Sequence, residues 1–186
     1  MNRNLFGALT FLLLLAMACF GVFWTVLHSR EVQYARTNLV FHNLKGQTSR
    51  DFVVNSDRGI YSTINLRKPL FVEIFATWCP NCQEEVPALN KLYAKYKSRM
   101  DFVSVSGSHK GSDAMSPASL ADTLRFKRKY RVTYPIAFDK ALTVFSNFHV
   151  NGFPTFVIIE PNKVIAYNGM GLMPYSDLEA AVESAF

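Results

Sequence analysis

Val72-Glu73-Ile74-Phe75-Ala76-Thr77-Trp78-Cys79-Pro80-Asn81-Cys82-Gln83-Glu84-Glu85 is an apolar strand that runs straight into a two-cysteine turn and then a helix. Two cysteines separated by two residues at a helix start can close a small disulfide without moving the backbone far, so the stretch reads as a redox-active dithiol, Cys79 with Cys82. Cys79 falls at the N-cap, Pro80 at the first helical position, where its missing N–H costs nothing, and Cys82 one turn in. Free backbone N–H groups at that end favour a thiolate, the form of cysteine that attacks. Cys79, nearer solvent, is expected to be the nucleophile, and Cys82 beneath it to resolve the mixed disulfide.

Other uses of two cysteines fit less well. A structural disulfide rarely takes so small a ring at a helix start. Zinc would need two further ligands from the scattered His28, His42, His109 and His149, and haem attachment needs a histidine where Gln83 stands. No metal site is expected. No flavin or nicotinamide fingerprint is present either, so the dithiol is expected to work without a cofactor.

Working outward, Pro69 to Phe75 is a nearly continuous apolar run of the kind buried on both faces of a parallel sheet. Glu73 interrupts it, six residues before Cys79. Burying a carboxylate there without a partner is costly, so Glu73 is expected to be protonated or paired, and placed to relay a proton to Cys82. Glu85, three residues after Cys82, shares its helix face and is within reach of the thiols. Gln83 and Glu84 read as a solvated face. The helix is expected from Pro80 to about Lys97, with Val86, Leu89, Leu92, Tyr93 and Tyr96 at three- and four-residue steps and a kink at Pro87.

Asp51 to Val54 and Ile60 to Ser62 flank the turn cluster Asn55-Ser56-Asp57-Arg58-Gly59, which predicts a hairpin ahead of the dithiol, and Asn38 to Phe41 is a further short β-type run. Beyond it come a strand over 101–106, a Gly/Ser-rich loop over 107–117, and a helix over 118–130 with Leu120, Leu124 and Phe126 available to pack. A strand over 134–138, a short helix over 141–148, a hairpin from Thr155 to Tyr167 and a closing helix from Ser176 follow. Such an order argues for an α/β fold, a mixed central sheet sandwiched by helices.

The chain has 186 residues, enough for one domain and an appendage. Leu5 to Leu27 carries no charge and is long enough to span a hydrocarbon core, which predicts an N-terminal transmembrane signal-anchor over 1–28, a linker over 29–37 and the folded domain over 38–186. Ala16-Met17-Ala18 has the form of a signal-peptidase site, but cleavage there would leave Cys19 at the head of an apolar leader. Arg3 on one side and Arg30 and Arg36 on the other leave the positive-inside count undecided. Redox chemistry places the domain outside the cytoplasmic membrane of a bacterium, where substrates carry disulfides. The net charge of +6 is spread blandly. Its densest run, Arg125 to Arg131, reads as the solvated end of a helix, which argues against a nucleic-acid partner.

Asn151-Gly152-Phe153-Pro154-Thr155, just before a late strand, fits a cis peptide. Together with Trp78-Cys79-x-x-Cys82 and Glu85-Val86-Pro87, it resembles the thioredoxin superfamily, specifically membrane-anchored TlpA/ResA/DsbE-like thiol-disulfide oxidoreductases. The resemblance covers about residues 38 to 186. It implies a thioredoxin fold with an added N-terminal β-hairpin and an insert near 107–133. It also implies a cis-proline at Pro154 facing the dithiol, and substrate contacts by Trp78, Pro80, Phe153 and Pro154. Glu73 then corresponds to the buried acid of thioredoxins and Glu85 to the glutamate near the cysteines of ResA-like proteins. The implied partners are extracytoplasmic proteins with thiols or disulfides and a membrane electron donor or acceptor. Reduction of substrates, as in cytochrome c maturation, is the first expectation; a disulfide-forming oxidase and a copper-handling binding module are the alternatives. Relatives often have proline just before the second cysteine, where this chain has Asn81, so the direction of electron flow does not carry over.

Overall fold

The computed structural model describes residues 42–186 together with Met17. Apart from Met17, the expected membrane segment, Cys19, the linker and the run 38–41 therefore lie outside the described residues. Among the described residues no helix is long and apolar enough to cross a membrane.

Seven strands form one mixed sheet: β1 Val53–Ser56, β2 Gly59–Ser62, β3 Leu70–Phe75, β4 Asp101–Ser106, β5 Ile136–Phe138, β6 Thr155–Ile159 and β7 Ile165–Met170. Their spatial order is β2-β1-β5-β4-β3-β6-β7. β3 lies parallel to β4 and antiparallel to β6, β4 is parallel to β5, and the hairpins β1–β2 and β6–β7 complete the edges. Four helices join them: α1 Pro80–Tyr96, α2 Leu120–Tyr130, α3 Thr143–Asn147 and α4 Tyr175–Glu183.

Successive side chains of a strand face opposite ways, and β3 divides the core accordingly. Phe71 and Phe75 join Cys79, Cys82, Leu89, Phe126, Tyr134 and Leu178 on one face. Leu70, Val72 and Ile74 join Val103, Val144, Phe148 and Val157 on the other. All six residues of β3 are buried, so Glu73 has no route to solvent, and its place in the alternation puts it on the face that carries the cysteines.

The hairpin turn depends on Gly59, whose φ of +102° suits a residue without a Cβ. Asp57 in that turn accepts hydrogen bonds from the Ile136 backbone N–H at 2.8 Å and from Lys127 Nζ at 2.6 Å. The added hairpin is thereby fastened to β5 and to α2. The expected helix over 118–130 begins at Leu120 because Ser119 caps it, its hydroxyl accepting from the Asp122 N–H. Leu120 therefore points outward, 41% exposed, and α2 packs through Thr123 and Phe126 instead. Helix α1 continues through Pro87, which lies on its exposed side.

The short helix α3 has no cap from its own N-cap residue, Leu142. Asp139, buried at the end of β5, does that work from a distance, accepting from the N–H groups of Thr143 (3.0 Å), Val144 (2.7 Å) and Phe145 (3.2 Å). A carboxylate on three backbone donors at a helix start is a strong arrangement. Asp139→Ala should lower stability by about 2 kcal/mol in urea denaturation, with Asp139→Asn recovering part of it, because three backbone donors, the Val144 N–H fully buried, would lose their acceptor.

Candidate active site

The dithiol sits where β3 ends and α1 begins. Cys79 is the N-cap residue of α1, extended at φ −76° and ψ 121°, with Pro80 at the first helical position as the sequence predicts. Its N–H donates to the Ala76 carbonyl at 3.0 Å, which tightens the turn between strand and helix. Both cysteines are free thiols, Cys79 6% exposed and Cys82 fully buried. Of the pair, Cys79 is the one an incoming sulfur can approach.

Facing it is the loop that enters β6. The Phe153–Pro154 peptide is cis, and the Phe153 carbonyl lies 3.6 Å from the Cys79 sulfur, which points its S–H at that oxygen. Trp78 meets Phe153 edge to face with ring centroids 5.9 Å apart, and its indole N–H donates to the Ser108 hydroxyl at 2.9 Å. Phe145 of α3 supports Phe153 from the other side, with centroids at 6.1 Å. Trp78, Pro80, Phe153 and Pro154 thus converge on Cys79.

Beneath the turn lies a buried acidic cluster. Burial pushes the Cys82 thiol far up from its ordinary range, and the charge of Glu73 pushes it further. Burial likewise raises the Glu73 carboxyl to about 8, against the Ser104 hydroxyl, which donates to it, and with the charge of Glu85 adding to the rise. Glu85 is buried too, and burial raises its carboxyl, while the Met173 N–H donates to Oε2 at 3.0 Å. Glu85 acts electrostatically on Glu73 and on Tyr134.

Two members of this cluster escape sequence reasoning. Ser104 is the direct partner of Glu73 across the β3–β4 ladder, and only the strand register reveals it. Tyr134 precedes β5, is 2% exposed, and its hydroxyl has no hydrogen-bond partner; burial and the charges of Glu73, Cys82 and Glu85 hold its proton on. The Oε1 of Glu85 is also unpartnered. Among the described residues no group of three or more His, Cys, Asp or Glu is placed to hold a metal ion. What the site can do is thiol chemistry: an accessible sulfur at a helix start, a buried second sulfur that keeps its proton, and a carboxyl below it that titrates near neutral pH.

A profile of the AhpC/TSA family matches residues 45–168. The chain belongs to the AhpC/TSA family. Among curated relatives of this AhpC/TSA chain, the thiol-disulfide oxidoreductase ResA of Geobacillus kaustophilus is 28% identical over 141 residues, covering 75% of this chain and 76% of the relative. The thioredoxin-like protein YneN of Bacillus subtilis is 27% identical over 141 residues, 75% of this chain and 79% of the relative. Among solved structures, a Chlorobium tepidum protein described as a thiol:disulfide interchange protein DsbE superposes with a TM-score of 0.66 at 23% identity, covering 76% of this chain and 96% of that one. StoA of Bacillus subtilis gives 0.60 at 18% identity, covering 72% and 97%. The fold is thioredoxin-like, and this AhpC/TSA member is a thiol-disulfide oxidoreductase of the TlpA/ResA/DsbE-like kind.

The Glu73 carboxyl has a consequence for stability. Its ordinary value is 4.5 and its value in the fold is about 8. Between those limits the folded protein keeps a proton that the unfolded chain has lost, so the Glu73 contribution makes stability fall as pH rises. Glu73→Gln removes this titration. Relative to the parent, the reduced variant should gain on the order of 4 kcal/mol between pH 5 and pH 8.5 in urea denaturation. Parallel pH profiles for the two proteins would mean that Glu73 is ionised throughout.

Proposed function

We propose that this protein is a membrane-tethered reductase of disulfides in extracytoplasmic proteins, with the segment over 1–28 as its anchor and a membrane electron donor restoring its dithiol. The observation that carries the reading is the unequal pair: Cys79 at the helix start, 3.6 Å from the Phe153 carbonyl, above a Cys82 that is wholly buried against Glu73. In the proposed cycle the Cys79 thiolate attacks a substrate disulfide, forming a mixed disulfide and releasing one substrate thiolate. Cys82 then attacks the Cys79 sulfur, its proton passing to Glu73 in the fraction of molecules whose carboxyl, held at about 8, is ionised. The second substrate thiolate leaves, two electrons have passed to the substrate, and Cys79 and Cys82 are joined.

The buried thiol supports this direction. A dithiol is a strong oxidant when its reduced form is stabilised as a thiolate, as happens where a cysteine ionises easily. Burial and Glu73 deny Cys82 that stabilisation, which favours giving electrons away. Phe153 and Pro154 beside Cys79 suit an extended substrate segment that pairs with the loop by strand addition.

Trapping tests the reading. Cys82→Ser, expressed with its own N-terminal segment, should accumulate mixed disulfides with extracytoplasmic proteins, held through Cys79 and released by dithiothreitol. Trapping by Cys79→Ser alone would reverse the roles of the two thiols, and trapping by neither would refute exchange with proteins. A purified domain that oxidises reduced peptides faster than it reduces their disulfides would reverse the direction.

A further inference from the structure

Beside the dithiol, on the side away from the Phe153 loop, is a pocket of about 400 Å³. Thr77 and Gln83, which bracket the two cysteines in sequence, form its inner wall. Arg125, Arg128 and Lys129 of α2 supply its charge, and Phe126 and Tyr130 its apolar surface.

The charge is in surplus. Asp122 pairs with Arg125, and that same carboxylate accepts hydrogen bonds from Ser112 and Ser119. Arg128 and Lys129 have no carboxylate partner among the described residues. Lys129 rests its ammonium 5.0 Å from the Tyr130 ring centroid. Thr77 itself is 5% exposed, so the wall it forms is well buried. A pocket with two unneutralised cations and an aromatic floor fits a carboxylate on a short apolar stem.

Its position narrows the ligand further. β3 carries the dithiol at its C-terminal end, with β6 on one side and β4 followed by β5 on the other. The Phe153–Pro154 loop enters β6, while α2 leads into β5 and packs on it, so Cys79 lies between the loop and the pocket. Thr77 is two residues from Cys79, at most about 7 Å along the chain. An extended segment advances about 3.3 Å per residue, so a peptide engaged at Phe153 with its cysteine at Cys79 reaches the pocket within a few residues.

We propose that this pocket selects substrates by taking an Asp or Glu side chain about two to four residues from the cysteine under exchange. The inference rests on the exchange of disulfides with protein segments proposed above. It makes Arg128 and Lys129 specificity determinants for acidic substrate segments.

Two synthetic peptides with the same mixed disulfide test it, one with Asp and one with Asn at those positions, reduced by the dithiol form of the domain. The acidic peptide should have a kcat/KM about tenfold higher at low salt, with the advantage shrinking as salt screens the pair. In the double variant Arg128→Gln/Lys129→Gln the ratio of the two peptides should fall toward one. Equal rates for the two peptides in the parent protein, or an unchanged ratio in the variant, overturn the proposal. Failure of every peptide to exchange would instead refute the exchange reading. In that case an acidic peptide without cysteine, titrated by NMR, decides the pocket alone: shifts at Thr77 and Gln83 sustain it, and their absence overturns it.

Discussion

A carboxyl and a thiol, neither with access to water, face each other across the inner end of the dithiol, and the rest of the site is arranged around their mutual repulsion. β3 is buried on both faces, so Glu73 cannot turn outward, and Cys82 one turn into α1 cannot either. Burial raises the cost of ionising both, and the charge of Glu73 adds to that cost for Cys82, so one negative charge at most is easily held there. Oxidation removes one member from this competition, because a disulfide sulfur has no proton to lose. Proton release and electron transfer at this site are therefore linked by burial itself.

The upper half of the site is organised by different forces. Cys79 is oriented by the local geometry of a strand ending and a helix starting, and its neighbours are aromatic. Trp78, Phe153 and Phe145 form a chain of edge and tilted contacts that runs to α3. That helix starts only because Asp139 satisfies three of its N–H groups. A buried carboxylate at the end of β5 thus helps hold the loop that faces the reactive sulfur. The two halves share one turn of backbone but answer to separate constraints, desolvation below and aromatic packing above.

The features legible in the sequence are those whose signal is local. The Cys79–Cys82 spacing after an apolar strand, proline at the first helical position, and the turn residues of the leading hairpin each carry their geometry within a few residues. Glu73 stands out because a charge in an apolar run demands explanation wherever the strand lies. Ser104 and Tyr134 do not, since a serine in a strand and a tyrosine before proline are ordinary until the β3–β4 register and the start of β5 bring them under Cys82. Leu120 misleads for a related reason: apolar composition offers it for packing along with Phe126, while the Ser119 cap makes it the first helical residue, and there it is 41% exposed. The basic run Arg125 to Arg131 reads as one solvated face, yet the helix divides it. Lys127 turns to Asp57, Arg125 to Asp122, and Arg128 and Lys129 toward the pocket beside the dithiol.

That division bears on what can reach the sulfur. Cys79 is only 6% exposed, so little of it is open to an incoming disulfide. In the proposed cycle a substrate segment is extended and enters the gap between the Phe153 loop and α2, the state of a chain that is unfolded or locally opened. Extended chains offer backbone groups that pair with any sequence, so the proposed strand addition at Phe153 would supply affinity without discrimination. Discrimination must then come from side chains on either side of the cysteine. On the β6 side the neighbours of Cys79 are aromatic and neutral, and on the α2 side they are cationic, so under the proposed reading a peptide would be matched by apolar groups on one flank and acidic ones on the other.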